Sequence, residues 1–140
     1  VRTYKGVRYY NDSIASSPSR TTAGLRSFPE KVILIAGGYD KHIPFDALGG
    51  EIVEHVKLLV LCGATAAKIR TAVENAEGYQ PGHPGIVEVT PFQKAVETAR
   101  SRAVPGDVVT LSPACAAFDQ FKNFAERGKT FKAIVNGWQE

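Results

Sequence analysis

KVILIAGG, residues 31–38, is an unbroken apolar run that ends in paired glycines. Successive side chains of a strand point to opposite faces, so a strand with one wet face alternates apolar and polar residues. Here both faces are apolar. That predicts a strand covered on both sides, as in a parallel sheet with helices above and below it. Gly37 and Gly38 let the backbone turn sharply where the strand stops.

Working outward, VKLLVLCG (56–63) and DVVTLS (107–112) have the same buried character, and VRYYN (7–11) and IVEVT (86–90) are shorter β-prone runs. Helical signals lie between them. Ser17 followed by Pro18 predicts a helix start, running to about Phe28 with Thr21, Leu25 and Phe28 inward. Phe45, Leu48, Ile52 and Val56 keep helical spacing, although Gly49 and Gly50 each weaken that helix by about 1 kcal/mol relative to Ala. A further helix spans Thr65 to about Ala76. Thr90-Pro91-Phe92-Gln93 reads as a capping box with proline in the first turn, and carries Phe92, Val96, Ala99 and Ala103 inward. Asp119 to Arg127 reads as helical, with Phe118, Phe121 and Ala125 as a buried stripe and Phe124 on its flank; another helix is expected over 130–138. Strands alternating with helices predict an α/β fold: a Rossmann-like open, mostly parallel sheet with helices on both faces.

The chain has 140 residues, enough for one domain with a real core. Its net charge of +3 is small and dispersed, which gives no footprint for nucleic acid. No apolar run approaches the ~20 residues that cross a bilayer, and no signal-peptide pattern opens the chain. Cys62 and Cys115 lie among small or apolar residues and outside any CxxC pair, which suits reduced, structural thiols. The chain begins at Val1 and contains no methionine, so it reads as an excerpt in which residues 1–6 end a linker.

Ligands of open α/β sheets bind outside the carboxyl ends of the strands. Three loops are expected there: NDSIASS after the first strand, GGYDKHIP after the second, and SPACAAF after the last. The glycine loop has neither GxGxxG nor GxxxxGK[ST] spacing. It does place Lys41, a point charge suited to an anion, at the mouth of the sheet. SPACAAF lacks the GxSxG of a nucleophile elbow. Its residues leave open a cysteine nucleophile at Cys115, or a helix start whose free N–H groups receive an anion. No HExxH, EF-hand or Cys/His cluster is present, and Asp12 and Asp40 are candidate polar contacts.

These motifs together are specific. NDS-x-A-S at 11–16, ILIAGG-x-DK at 33–41 and LSPACAAFDQFKNFAERGKTF at 111–131 resemble the C-terminal domain of the Mur ligases, closest to members that add D-glutamate to UDP-N-acetylmuramoyl-L-alanine. The resemblance runs the length of the chain. It implies an ATP-dependent, amide-forming ligase of cytoplasmic peptidoglycan synthesis, with ATP and magnesium held mainly by a central domain absent here. An N-terminal domain, also absent, holds the UDP group. The substrate carboxylate is activated as an acyl phosphate and attacked by the D-glutamate amine. This domain alone is expected to be inactive and monomeric, with no nucleic-acid or membrane partner and no catalytic residue of its own.

Carried over residue by residue, the resemblance places D-glutamate binding on Ser16, Lys41, Ala117, Phe118 and Phe124. Lys41 and Ser16 take the side-chain carboxylate. Backbone N–H groups near Ala117 and Phe118 take the α-carboxylate, with Phe124 beside them. Asp12, with Asn11, is assigned to the nucleotide. Two positions depart from the familiar pattern: Ile14 stands where it has lysine and Ala117 where many relatives have serine. Another Mur-type or folylpolyglutamate ligase domain, or a non-catalytic nucleotide- or anion-binding module, are the alternatives.

Overall fold

The computed structural model describes residues 2–117 and 121–139. Six strands form one sheet: β1 (Arg2–Tyr4), β2 (Val7–Asn11), β3 (Val32–Ala36), β4 (Val56–Leu61), β5 (Gly85–Glu88) and β6 (Val108–Leu111). The helices are α1 (Pro18–Arg26), α2 (Asp46–His55), α3 (Ala66–Glu74), α4 (Phe92–Arg102) and α5 (Phe124–Asn136). The strand order is β1-β2-β6-β3-β4-β5. Every pairing is parallel except the β1–β2 hairpin. The expected sheet class is therefore observed.

The apolar run that opened the analysis is divided between two cores by the strand's period of two. Val32, Leu34 and Ala36 face α1, α2 and α3 through Leu25, Leu48, Ile52, Ile69 and Val73. Ile33 and Ile35 face α4 and α5 through Val96, Ala99, Phe131 and Val135. All five β3 residues are buried. That double covering is why the sequence does not alternate.

Several local expectations are corrected. The segment read as linker contains β1, whose Tyr4 is buried and packs on Trp138 at 5.2 Å between ring centroids. Val56 opens β4 rather than closing α2. Thr90 does not cap α4: the cap position is Pro91, with no side-chain cap bond. Gly49 is required rather than merely tolerated, because a Cβ there would stand 2.3 Å from the Ala72 carbonyl oxygen where α2 crosses α3.

The largest correction is at the last helix. Phe118 and Asp119 lie outside the described residues. Among the described residues, a single helix starts at Phe124 and runs to Asn136, in place of two segments. Asn123 caps it, its side chain accepting from Glu126 N at 2.9 Å. Its buried positions are Arg127, Gly128, Phe131 and Val135. Ala125 is exposed, and Phe121 precedes the helix, packing edge-on against Phe92. Phe131 and Val135, not Ala125, form the buried stripe of this helix.

Candidate functional site

β2, β6 and β3 are neighbours in the sheet, so the loops that leave their carboxyl ends lie side by side. Backbone hydrogen bonds stitch them together. Ala114 N donates to Ala15 O at 3.0 Å, Gly37 N to Pro113 O at 2.9 Å, and Tyr39 N to Ala116 O at 2.8 Å. The paired glycines make this approach possible. Gly37 has φ +111, and a Cβ on it would lie 2.1 Å from Cys62 O; one on Gly38 would lie 2.5 Å from Ala116 O. Ala114 itself sits at φ 63, a left-handed conformation that a residue with a Cβ adopts at a cost.

A cleft of about 620 Å³ opens over this junction. Ile14 and Ser16 line it from the loop after β2, and Ser17 and Arg20 from the start of α1. Lys41 comes from the loop after β3, and Ala116, Ala117, Asn123 and Phe124 from the segment between β6 and α5. Four of the expected site residues, Ser16, Lys41, Ala117 and Phe124, therefore share one cleft. The fifth, Phe118, lies outside the described residues. Phe124 is 45% exposed, unusual for an aromatic of this size and in keeping with a wall left open to a ligand. A larger groove of about 910 Å³, with Pro44, Lys68 and Thr71 in its wall, lies between the β3–α2 loop and α3. It receives none of the loops after β2 or β6, so size does not mark the site here.

Ala117 is buried, and its carbonyl accepts from Phe121 N at 2.8 Å. It does not begin α5; the helix start that opens on the cleft is six residues later, at Asn123 and Phe124. The loop that carries Lys41 is braced through Asp40. Asp40 Oδ1 accepts from His42 N at 2.7 Å, and Asp40 Oδ2 pairs with Lys68. The Lys68 ammonium, followed by the His42 N–H, keeps the Asp40 carboxyl below the usual carboxylate range.

Asp12 and Asn11 stand apart from this cleft. Asp12 Oδ2 accepts from the Ser112 hydroxyl at 2.8 Å, beneath Gly24. Asn11 lines an adjoining cleft of about 280 Å³ with Lys129 and Lys132 of α5. Ser112 is buried and bonded to Asp12 and Thr21, which suits a strand-end hub rather than a nucleophile. Cys115 is buried as well, with Sγ 3.2 Å from Thr65 Oγ1. Among the described residues no group of three His, Cys, Asp or Glu gathers to hold a metal ion, and the sequence has no P-loop.

Two arginines escaped the sequence reading. Arg20 lies one helical turn beyond Ser17, a spacing that carries it to the same edge of the cleft. Arg127 is 2% exposed and bonds across three segments: Nε to Ser13 Oγ, Nη2 to Ser13 O, and Nη1 to Cys115 O. Nothing in the sequence distinguishes it from an ordinary surface arginine.

The chain is 57% identical over 136 residues to a UDP-N-acetylmuramoylalanine--D-glutamate ligase of Clostridium kluyveri, covering 97% of this chain and 30% of that protein. It is 57% identical over 138 residues to the enzyme of that name from Acetivibrio thermocellus, with the same coverage. The chain thus spans about 30% of the curated relatives it matches. A domain from a putative UDP-N-acetylmuramate:L-alanyl-gamma-D-glutamyl-medo-diaminopimelate ligase of Haemophilus ducreyi shares the fold, with a TM-score of 0.59 at 14% identity over 95% of each chain. Residues 1–115 match the model of the glutamate ligase domain of Mur ligases, and the chain belongs to that family.

Proposed function

We propose that this chain is the C-terminal, amino-acid-binding domain of an ATP-dependent ligase that joins D-glutamate to UDP-N-acetylmuramoyl-L-alanine in cytoplasmic peptidoglycan synthesis. One observation carries the reading. Ser16, Lys41, Ala117 and Phe124, dispersed over a hundred residues of sequence, wall one cleft at the carboxyl ends of three adjacent strands. In this reading Lys41 and the Ser16 hydroxyl take the side-chain carboxylate of D-glutamate. Donors of the β6–α5 segment, with the start of α5, take the α-carboxylate. Phe124 closes one wall.

The domain contributes orientation. Fixing both carboxylates leaves the amine one direction in which to attack the activated substrate carbonyl, and converts a bimolecular encounter into a positioned one. No side chain of this chain is asked to act as nucleophile, in keeping with the buried Ser112 and Cys115. ATP, magnesium and the UDP group are assigned to the preceding domains, with Asp12 and Asn11 reaching the nucleotide from this one. The domain acts as part of a monomer.

The test joins this chain to its upstream domains and follows phosphate release. Release is expected only with ATP, D-glutamate and UDP-N-acetylmuramoyl-L-alanine together, and Lys41→Ala is expected to raise the D-glutamate KM by about 10- to 100-fold. Unchanged KM and turnover in Lys41→Ala would remove the substrate site. Equal activity with folates or other amino acids would assign the chain to a neighbouring ligase.

A further inference from the structure

The cleft holds a second cation that the family pattern does not account for. Arg20, on the first turn of α1, lines it together with Lys41. Both are exposed, and neither has a hydrogen bond or an ion pair within the chain among the described residues. Some other surface cations are engaged, such as Arg8 with Glu30, Arg26 with Glu51, Lys57 with Asp107, Lys68 with Asp40, and Arg70 with Glu74 and Glu88; Lys31, Lys94, Arg102, Lys122 and Lys132, unengaged among the described residues, lie outside this cleft. Among the described residues, no acidic side chain lines the cleft. Its remaining polar side chains are Ser16, Ser17 and Asn123, and the Asn123 side chain is occupied in capping α5.

Two uncompensated cations on one small cleft select a ligand with two negative groups. The planar guanidinium of Arg20 can donate two parallel bonds to one carboxylate, whereas the Lys41 ammonium acts as a point charge. The Ser17 cap position of α1 makes no side-chain cap bond, so the helix end beside Arg20 adds its positive potential to the same place. Resting on the functional reading above, we infer that Arg20 is a specificity-determining residue of the amino-acid site: Lys41 holds one carboxylate of the incoming dicarboxylate, and Arg20 adds its guanidinium to the backbone donors that hold the other.

The experiment uses the ligase with its upstream domains. Arg20→Ala is expected to raise the D-glutamate KM by about 10- to 100-fold, with kcat changed little and the KM for ATP and for UDP-N-acetylmuramoyl-L-alanine unchanged. Arg20→Lys should recover part of the loss. The two mono-amides of D-glutamate are then compared as competitive inhibitors. Arg20→Ala should weaken only the one that keeps the carboxylate facing Arg20, and Lys41→Ala only the other. An unchanged D-glutamate KM in Arg20→Ala, beside a raised one in Lys41→Ala, overturns this inference and leaves the site intact. A raised KM for ATP instead, or both variants losing their effect on the same mono-amide, also overturns it. If Lys41→Ala too is without effect, or the assembled ligase does not consume D-glutamate, the functional reading itself fails.

Discussion

Arg127 grips Ser13 at two points, its Nε donating to the hydroxyl at 3.0 Å and its Nη2 to the carbonyl at 2.7 Å. Ser13 in turn donates its hydroxyl proton to Phe124 O at 2.7 Å. Arg127 thereby fixes the loop after β2 to the first turn of α5, and through Cys115 O to the loop after β6. Arg127→Met would leave two carbonyls without these donors inside the protein. The expected loss is about 3 kcal/mol of stability. Arg127→Lys should recover little, because an ammonium cannot reproduce the fork. Urea unfolding followed by the fluorescence of Trp138, the single tryptophan, measures both.

Gly49 and Gly50 are adjacent in α2 and should answer oppositely to the same change. A Cβ at position 49 collides with Ala72 O, whereas one at position 50 meets nothing within 4 Å. Gly49→Ala is expected to destabilise by about 2 kcal/mol or more, since backbone must move. Gly50→Ala should stabilise by about 0.5–1 kcal/mol through helix propensity. Matched thermal melts would show shifts of opposite sign.

Asp40 fixes the loop that carries Lys41. In the assembled ligase, Asp40→Ala is expected to raise the D-glutamate KM by about three- to tenfold, the effect of a loosened rather than a missing contact. Asp40→Asn keeps an acceptor for His42 N and should fall between the two. Because the Asp40 carboxyl titrates below its ordinary value of 3.8, its stabilising effect is present above that pH and is lost as the pH falls below it.

Cys62 and Cys115 are both buried thiols outside any disulfide, at 4% and 3% exposure. A thiol reagent should label the folded protein slowly, at a rate set by unfolding, and label both cysteines at once in denaturant. Rapid labelling of Cys115 in the folded state, with a rate that drops as the pH is lowered, would revive a cysteine-dependent chemistry.

Burial pushes the Tyr9 phenol up to about 12, the nearby Arg100 opposing it. A raised pKa stabilises the fold at pH below the unfolded value of 10, and that contribution disappears as the pH climbs from 10 to 12. The loss is on the order of 2 kcal/mol. Alkaline unfolding of Tyr9→Phe should be correspondingly shallower across that interval than unfolding of the parent.

Much of the architecture was legible because single residues left little choice. The unbroken run of β3 demanded cover on both faces, and the loops ending NDSIASS, GGYDKHIP and SPACAAF then had to share one edge of the sheet. Lys41 could be found because a cation follows a glycine turn. Residues whose role is set by partners distant in sequence were not legible. Arg127 is an interior arginine that its bonds to Ser13 and Cys115 alone explain. The start of α5 was misplaced because Phe118 and Phe121 offer helical spacing, while the true boundary is set by Asn123 capping onto Glu126. Gly49 read as a defect because its justification, the Ala72 carbonyl, belongs to another helix.

The strand order has a consequence for how the molecule is made. β6 is the last strand in sequence and a central one in space, lying between β2 and β3. Until residues 108–111 leave the ribosome, the β1–β2 hairpin and the β3–β4–β5 sheet share no ladder, and each presents a bare edge. Vectorial synthesis therefore completes the sheet and the cleft in one late step, and no nascent chain ending before β6 can hold an amino acid there.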